Sequence, residues 1–247
     1  MQQAVAQIPW GHNVVLLDKL DDPDTRLWYV HRAGVEGWSR EIMVLHIDRA
    51  VHHREGQAIN NFAAALPEPD SDMAAKVFKD PYLFDFLGTA DPRREHEVEE
   101  ALVEHIQRFL LELGSGFAFI GRQHRIQVGD EDFYIDLLFY HLRLRCFVVI
   151  ELKAVPFDPA FAGKINFYLS AVDDLLRHPT DNPSIGLLLV RDPDKDRVKV
   201  EYALRDIRKP IGVASWETEL VRQLPNDFKG SLPTVEELEA ELAGDEE

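Results

Sequence analysis

The stretch FYIDLLFYHLRLRCFVVIELK, Phe133–Lys153, holds two apolar and aromatic runs joined by a short basic segment, and each run carries a carboxylate. Asp136 lies in the first, and Glu151, two residues before Lys153, in the second. An unpaired charge buried in strands this apolar costs several kcal/mol, so both carboxylates need partners. A tight turn centred between Arg143 and Leu144 sets Asp136 directly opposite Glu151 in an antiparallel hairpin. Facing residues have Cβ atoms about 4.5 to 5.5 Å apart, a spacing at which two like charges repel unless a cation stands between them. The turn contains no Gly or Asn, so a longer loop or a bulge shifts this register by one residue.

Glu151 and Lys153 are two apart on one strand and point to the same face. Two carboxylates and an ammonium then converge. That set suits a hard divalent cation such as Mg²⁺, which takes carboxylate oxygens and fills its remaining positions with water and substrate phosphate.

Upstream, EHEVEEALVEHIQRFLLELG reads as one helix ending at Gly114, with an apolar stripe at Val103, Ile106, Leu110 and Leu113. One four-residue step back from Val103 reaches Glu99, a third carboxylate on the sheet-facing side, while Glu100 and Glu104 fall on the solvent face. Three strand runs follow, FAFIGRQHRIQV, DFYIDLLFYH and RCFVVIELK, then a helix over FAGKINFYLSAVDDLLR and a strand at SIGLLLV. RVKVEYAL reads as a further strand and ETELVRQL as a short helix. The order predicts an α/β fold with a mixed central sheet flanked by helices.

The N-terminal part reads as helical over 8–66, with Ser39 capping a helix that runs to Gly56. The acidic, proline-bearing LPEPDSD marks the boundary, SDMAAKVFKD is a second capped segment stopping at Pro81, and Asp91–Pro92 is a breaker. The expected division is a helical domain over 1–75, a catalytic domain over 76–225 and an acidic tail over 226–247. Trp10, Trp28 and Trp38 are expected to fill the core of the helical domain.

With 247 residues, 45% of them apolar, the chain has ample material for a core. It lacks the roughly 18 to 20 continuous apolar residues of a membrane span and the opening of a secretory signal, so a cytoplasmic protein without membrane contact is expected. The lone cysteine, Cys146, cannot form an internal disulfide and reads as a small buried hydrophobe. A net charge of −17 argues against nonspecific phosphate binding. Part of it is local, since TVEELEAELAGDEE holds seven acidic residues and no basic one. The phosphate-loop pattern GxxxxGK[ST], the nucleophile elbow GxSxG and the zinc motif HExxH do not occur. His46, His52 and His53 lack the i, i+4 spacing of a zinc pair.

Singly, an acidic residue in an amphipathic strand marks only the wet face, and Lys153 is only an ion-pair partner. The joint pattern, helix Glu, strand Asp, then Glu-x-Lys on the next strand, is rarer and resembles the signature of the PD-(D/E)XK nuclease superfamily. The wording carries the resemblance further. FLLELGSGFAFIGRQHRIQVGDEDFYIDLLFYHLRLRCFVVIELK, continued by GKINFYLSAVDD, is similar to the C-terminal domain of the bacterial YhcG-type family. IPWGHNVVLLDKL, WYVHRAGVEGWSR and NNFAAALP resemble the helical domain that precedes it. The likeness covers about residues 8–225.

The resemblance implies a restriction-endonuclease-like core behind a helical N-terminal domain, working as a metal-dependent phosphodiesterase. Asp136, Glu151 and Glu99 are the implied metal ligands and catalytic carboxylates, with Lys153 positioning or activating the water and Mg²⁺, replaceable by Mn²⁺, as cofactor. Gln123 is a further catalytic candidate that orients water or substrate, and Lys164, Arg122 and Arg40 are candidate nucleic-acid contacts. The expected partner is nucleic acid, DNA first, with a homodimer because cutting two strands takes two sites. Two departures stand out: Ala160 follows the proline in FDPAFAG where the family often has an acidic residue, and family members commonly carry more helix before PWGH, so a shortened relative or a fragment is expected. The competing expectation, prompted by the net charge, is an inactive nuclease fold that binds nucleic acid or a protein partner.

Overall fold

A computed structural model describes residues 4–87 and 94–218. After a 3₁₀ turn at Ala4–Gln7 come four α-helices: α1 (Trp10–Lys19), α2 (Pro23–Glu36), α3 (Arg40–Asp48) and α4 (Val51–Arg54). Asp22 caps α2 by accepting from the Thr25 amide, Pro23 fills the first turn, and Gly37 ends the helix at φ 66°. Ser39 caps α3 through the Ile42 amide, as the sequence predicts. The helix expected to continue to Gly56 instead stops at Asp48, because Ala50 adopts the left-handed conformation at φ 46° and the chain restarts as α4. Leu16, Tyr29, Val30, Ala33, Met43 and Ile47 form the core of this part, with Trp28 and Trp38 packed against it. Trp10 does not join them. It is 77% exposed, since α1 turns the opposite face, His12, Asn13 and Leu16, inward.

The expected helical run to residue 66 is interrupted by a strand. β1 (Ile59–Asn60) pairs antiparallel with the last strand of the sheet, and two short helices follow, α5 (Phe62–Ala65) and α6 (Asp70–Val77). After β2 (Tyr82–Leu83) come α7 (Glu95–Glu104), α8 (Ile106–Leu113), β3 (Phe117–Val128), β4 (Glu131–His141), β5 (Cys146–Lys153), α9 (Pro159–Leu175), β6 (Ile185–Val190), α10 (Arg197–Leu204) and β7 (Ile211–Glu217). The sheet runs β1-β7-β6-β5-β4-β3, with β2 also on β7. β3, β4 and β5 form an antiparallel meander, while β5, β6 and β7 are parallel. The mixed sheet flanked by helices is therefore as expected.

One core fills the face covered by α5 to α8, including Phe78, Leu102, Phe109, Leu137, Phe139, Ile150 and Leu187. A second fills the face under α9 and α10, including Ile135, Leu138, Val149, Ile165, Leu188 and Val213. Cys146 is fully buried, and burial pushes its thiol up to about 12.

Two elements differ from expectation. The predicted single helix over 95–113 breaks at His105, where φ −103° and ψ 34° separate α7 from α8. Its buried face comprises Val98, Glu99, Ala101, Leu102, Phe109, Glu112 and Leu113, whereas Val103, Ile106 and Leu110 are only half-buried. RVKVEYAL is a helix and not a strand. Asp196 caps it through the Val198 and Lys199 amides, Arg197 pairs with Glu201 one turn on, and Val200 and Leu204, also one turn apart, are the buried pair. The alternation of apolar and polar residues was real, but the cap and the i, i+4 partners favour the helix. The Asp91–Pro92 breaker, most of ETELVRQL and the acidic tail over 226–247 lie outside the described residues.

Candidate active site

The turn between β4 and β5 sets the site's geometry. His141 pairs with Cys146, and the ladder continues through Tyr140–Phe147, Phe139–Val148 and Leu138–Val149 to Leu137–Ile150. This is the register that brings Asp136 level with Glu151. The two do not close a backbone pair, because β4 leaves the ladder there and Asp136 Oδ2 accepts the amide proton of Leu152 at 3.0 Å. A carboxylate thus stands where the next main-chain carbonyl would have been.

Glu151 is 1% exposed at the end of β5, beneath α9. Lys164, in the second turn of that helix, donates to Glu151 Oε2 at 2.7 Å and lies over the Tyr168 ring, 5.2 Å from its centroid. Glu151 Oε1 is buried and has no hydrogen-bond partner among the described residues. Burial, and secondarily the nearby charge of Asp136, pushes the Glu151 carboxyl up to about 7 despite the ammoniums of Lys164 and Lys153. For Lys164, burial opposes the charge, but the hydrogen bond and charge of Glu151 outweigh it and raise the ammonium above its usual range. The sequence-predicted phosphate contact is therefore occupied by a carboxylate of the site itself.

Lys153 closes β5. Its Nζ lies 3.9 Å from Glu151 Oε2 and donates to the Leu152 carbonyl at 2.6 Å and to Glu95 Oε2 at 2.8 Å. Glu95 was not foreseen from the sequence. Its other oxygen accepts the Ala154 amide at 3.1 Å. The signal was available, since Glu95 is one helical turn before Glu99, and one more step along the same stripe reaches it.

Glu99 is 4% exposed on α7, and burial raises its carboxyl above the usual range. It meets Asp136 through an intermediary: Gln123 Nε2 donates to Glu99 Oε2 at 2.8 Å and to Asp136 Oδ1 at 3.4 Å. Gln123 adopts φ 45°, a conformation that costs a residue with a Cβ of order 1 kcal/mol or more and is held only where surroundings enforce it. Three residues before it, the β3–β4 register shifts between Phe119 and Gly121. Arg122 Nε lies 3.6 Å from Glu99 Oε1, and Nη1 3.8 Å from Glu100. Arg40 is exposed at the start of α3 and joins none of these contacts.

Among the described residues, no three His, Cys, Asp or Glu side chains stand together as a ready-made metal cage. The donor set nonetheless fits a Mg²⁺ ion, which is commonly held by one or two carboxylates and otherwise by water and phosphate. Asp136 Oδ1 and the orphaned Glu151 Oε1 are the oxygens that would hold it, and a second positive charge would answer the desolvation felt by Glu151.

A mixed sheet whose adjoining strand ends present Asp136, Glu151 and Lys153, with a buried glutamate from the preceding helix, defines the PD-(D/E)XK nuclease class. The comparisons agree and go further: residues 75–233 match the YhcG PDDEXK nuclease domain, and residues 1–54 the DUF1016 N-terminal domain. The chain belongs to the YhcG nuclease-domain family. It is 32% identical over 233 residues to an Escherichia coli (strain K12) protein named "Putative nuclease YhcG", covering 92% of this chain and 58% of that protein. The chain thus spans a little over half the length of that curated relative. No solved structure matches it. No helix among the described residues is long and apolar enough to cross a membrane.

Proposed function

We propose that the chain is a Mg²⁺-dependent nuclease, with Mn²⁺ able to substitute, that hydrolyses phosphodiester bonds in DNA, branched or otherwise structured DNA included. The setting we infer is bacterial DNA processing, repair, recombination or defence in the cytoplasm. The observation that carries this reading is the meeting of Asp136, Glu151 and Lys153 at the end of β5, with one buried oxygen of Glu151 left without a partner.

In this reading Asp136 and Glu151 hold the cation. When bound, Mg²⁺ lowers the pKa of a water and stabilises charge on the phosphoryl group. Lys153 has one N–H left after its bonds to Leu152 and Glu95, and offers it to the attacking water or to a phosphate oxygen. Gln123, fixed between Glu99 and Asp136, orients the water or substrate, and Glu99, expected from the sequence as a third metal ligand, acts in this reading by holding Gln123. Lys164 neutralises Glu151 and, with Lys153, supplies the positive charge that meets the nucleic acid. Arg122 and Arg40 are contacts further along the nucleic acid. The homodimer belongs to the same reading, because cutting both strands of a duplex takes two sites.

A panel of linear duplex, single-stranded, branched and methylated DNA, and RNA, incubated with the full chain and Mg²⁺, tests this proposal. Cleavage of at least one DNA form, lost in Asp136→Ala, is expected; no cleavage of any form, or an Asp136→Ala variant as active as the parent, overturns it. Light scattering reports the dimer.

A second reading, a nuclease fold that binds nucleic acid or a partner without turnover, is favoured by one observation. Lys153, Lys164 and Arg122 are all engaged by carboxylates of the site, in a chain of net charge −17. Binding to branched DNA without cleavage in Mg²⁺ or Mn²⁺ is its signature.

A further inference from the structure

The nuclease reading requires the Lys153 ammonium to be held still, yet a lysine at the end of a strand carries four rotatable bonds and has no inherent reason to stay. Two of its three N–H donors are committed: one to the Leu152 carbonyl at 2.6 Å, the other to Glu95 Oε2 at 2.8 Å. The carbonyl bond is local, folding the ammonium back onto the peptide next to its own residue. Glu95 comes from a different element, as the first residue of α7. Its second oxygen takes the amide of Ala154, the residue after β5 ends, so one carboxylate grips both the ammonium and the backbone beside it. Two anchor points fix the carboxylate plane relative to the strand end, which a single contact does not do.

Lys153 Nζ stands 3.9 Å from Glu151 Oε2, too far for a direct hydrogen bond, so its third donor is left uncommitted beside that carboxylate. The Phe161 ring of α9 lies 5.7 Å from Nζ, a further contact of the ammonium. One turn along α7, Glu99 holds Gln123 in the same way. The helix therefore supplies two carboxylates one turn apart, and each fixes a polar side chain that borders the site.

We propose that Glu95 is the positioning residue for Lys153: through its paired bonds to the ammonium and to the Ala154 amide it aims the free N–H of Lys153 at the reacting phosphate. This rests on the nuclease reading above. Glu95 is bonded to Lys153 and to the Ala154 amide and not to Glu151, so its expected effect is on turnover and not on substrate affinity.

The test compares the full chain with Glu95→Gln and Glu95→Asp. Glu95→Gln keeps an oxygen for the Ala154 amide but removes the charge facing Lys153. Its side chain is 41% exposed, so both variants are expected to melt within a few degrees of the parent. With Mg²⁺ and whichever DNA the parent cleaves, Glu95→Gln should lower kcat at least tenfold with KM within twofold, and Glu95→Asp should recover part of the loss. A second measurement does not depend on turnover: the acylation rate of Lys153 by an amine-reactive ester, followed by mass spectrometry, with Lys195 as internal reference in its Asp80 pair at 2.5 Å. Glu95→Gln should raise Lys153 acylation several-fold and leave Lys195 unchanged. Unchanged acylation of Lys153, or an unchanged kcat, overturns the proposal. If the parent cleaves nothing, the nuclease reading falls by itself, and the acylation comparison still decides whether Glu95 holds Lys153.

Discussion

Asp136 accepts the amide proton of Leu152 at 3.0 Å, one residue beyond the last backbone pair between β4 and β5. The carboxylate thereby ends one ladder and begins the site, with Oδ2 in the sheet's hydrogen bonding and Oδ1 turned toward Gln123. Its position is set by backbone register and not by a flexible side chain, which suits a group asked to hold an ion within a few tenths of an ångström.

Metal binding should depend on Glu151 more steeply than folding does. Calorimetry of the parent with Mn²⁺ is expected to show saturable binding in the micromolar to millimolar range that chelator reverses. Glu151→Gln should weaken it at least tenfold. The same variant should melt no lower than the parent, because it removes a carboxylate that is only partly compensated in a buried place.

Glu112 should matter for stability far from the site. Its carboxylate, 2% exposed, accepts from Arg54, from Arg49 at 3.2 Å and from the Leu83 amide at 3.0 Å, tying α3 and α4 to α8 and β2. Lys79 donates to the same residue's carbonyl. Glu112→Leu leaves two guanidiniums and a buried ammonium without their anion, and removing one partner of such a cluster costs about 3 to 5 kcal/mol. Urea denaturation of the two proteins measures the difference.

Acid should destabilise the chain through two buried histidines, whose effect starts below about pH 6.5. Burial holds the His46 imidazole down to about 3 and that of His141 down to about 4, so both stay neutral in the folded state. The unfolded chain takes up those protons first, so stability falls as pH drops from the unfolded value toward the folded ones, by about 1.4 kcal/mol per pH unit for each ring. Glu112 acts in the same direction. Although burial works against its charge, Lys79 and Arg54 hold its carboxyl below the usual range, so its contribution is lost as pH falls through that lowered value. Glu151 opposes this trend, because its carboxyl, raised from 4.5 to about 7, takes up its proton first in the folded chain and adds stability as pH falls between those values. Urea midpoints should therefore decline clearly only from pH 5 downward, and more gently in His141→Asn.

Gly186 is a packing constraint on the helix that carries Lys164. A Cβ there would stand 2.8 Å from Ile165 Cδ1 and 3.1 Å from Leu169 Cδ1, so α9 rests directly on the backbone of β6. Gly186→Ala should lower stability by about 1 to 3 kcal/mol, the usual range for overpacking. It should also loosen the Lys164–Glu151 contact, read as faster acylation of Lys164.

By itself the sequence determined what depends on local geometry. A period of two, a short turn and a Glu-x-Lys spacing were enough to predict the β4–β5 register, the shared face of Glu151 and Lys153, and the run of strands after α8, because pleat and turn act over a few residues. The family wording made the class of protein legible as well. What only the tertiary structure decided depends on how separate elements pack. Lys164 meets Glu151 because α9 lies across the end of β5, and Glu95 meets Lys153 because α7 begins beside it; no spacing along the chain encodes either approach. RVKVEYAL differs for a local reason: its alternation suits a strand, but the cap at Asp196 and the Arg197–Glu201 pair, both written in the sequence, favour a helix with Val200 and Leu204 buried. What packing alone decided also includes Trp10, an aromatic residue left on the surface because the other face of α1 is turned inward.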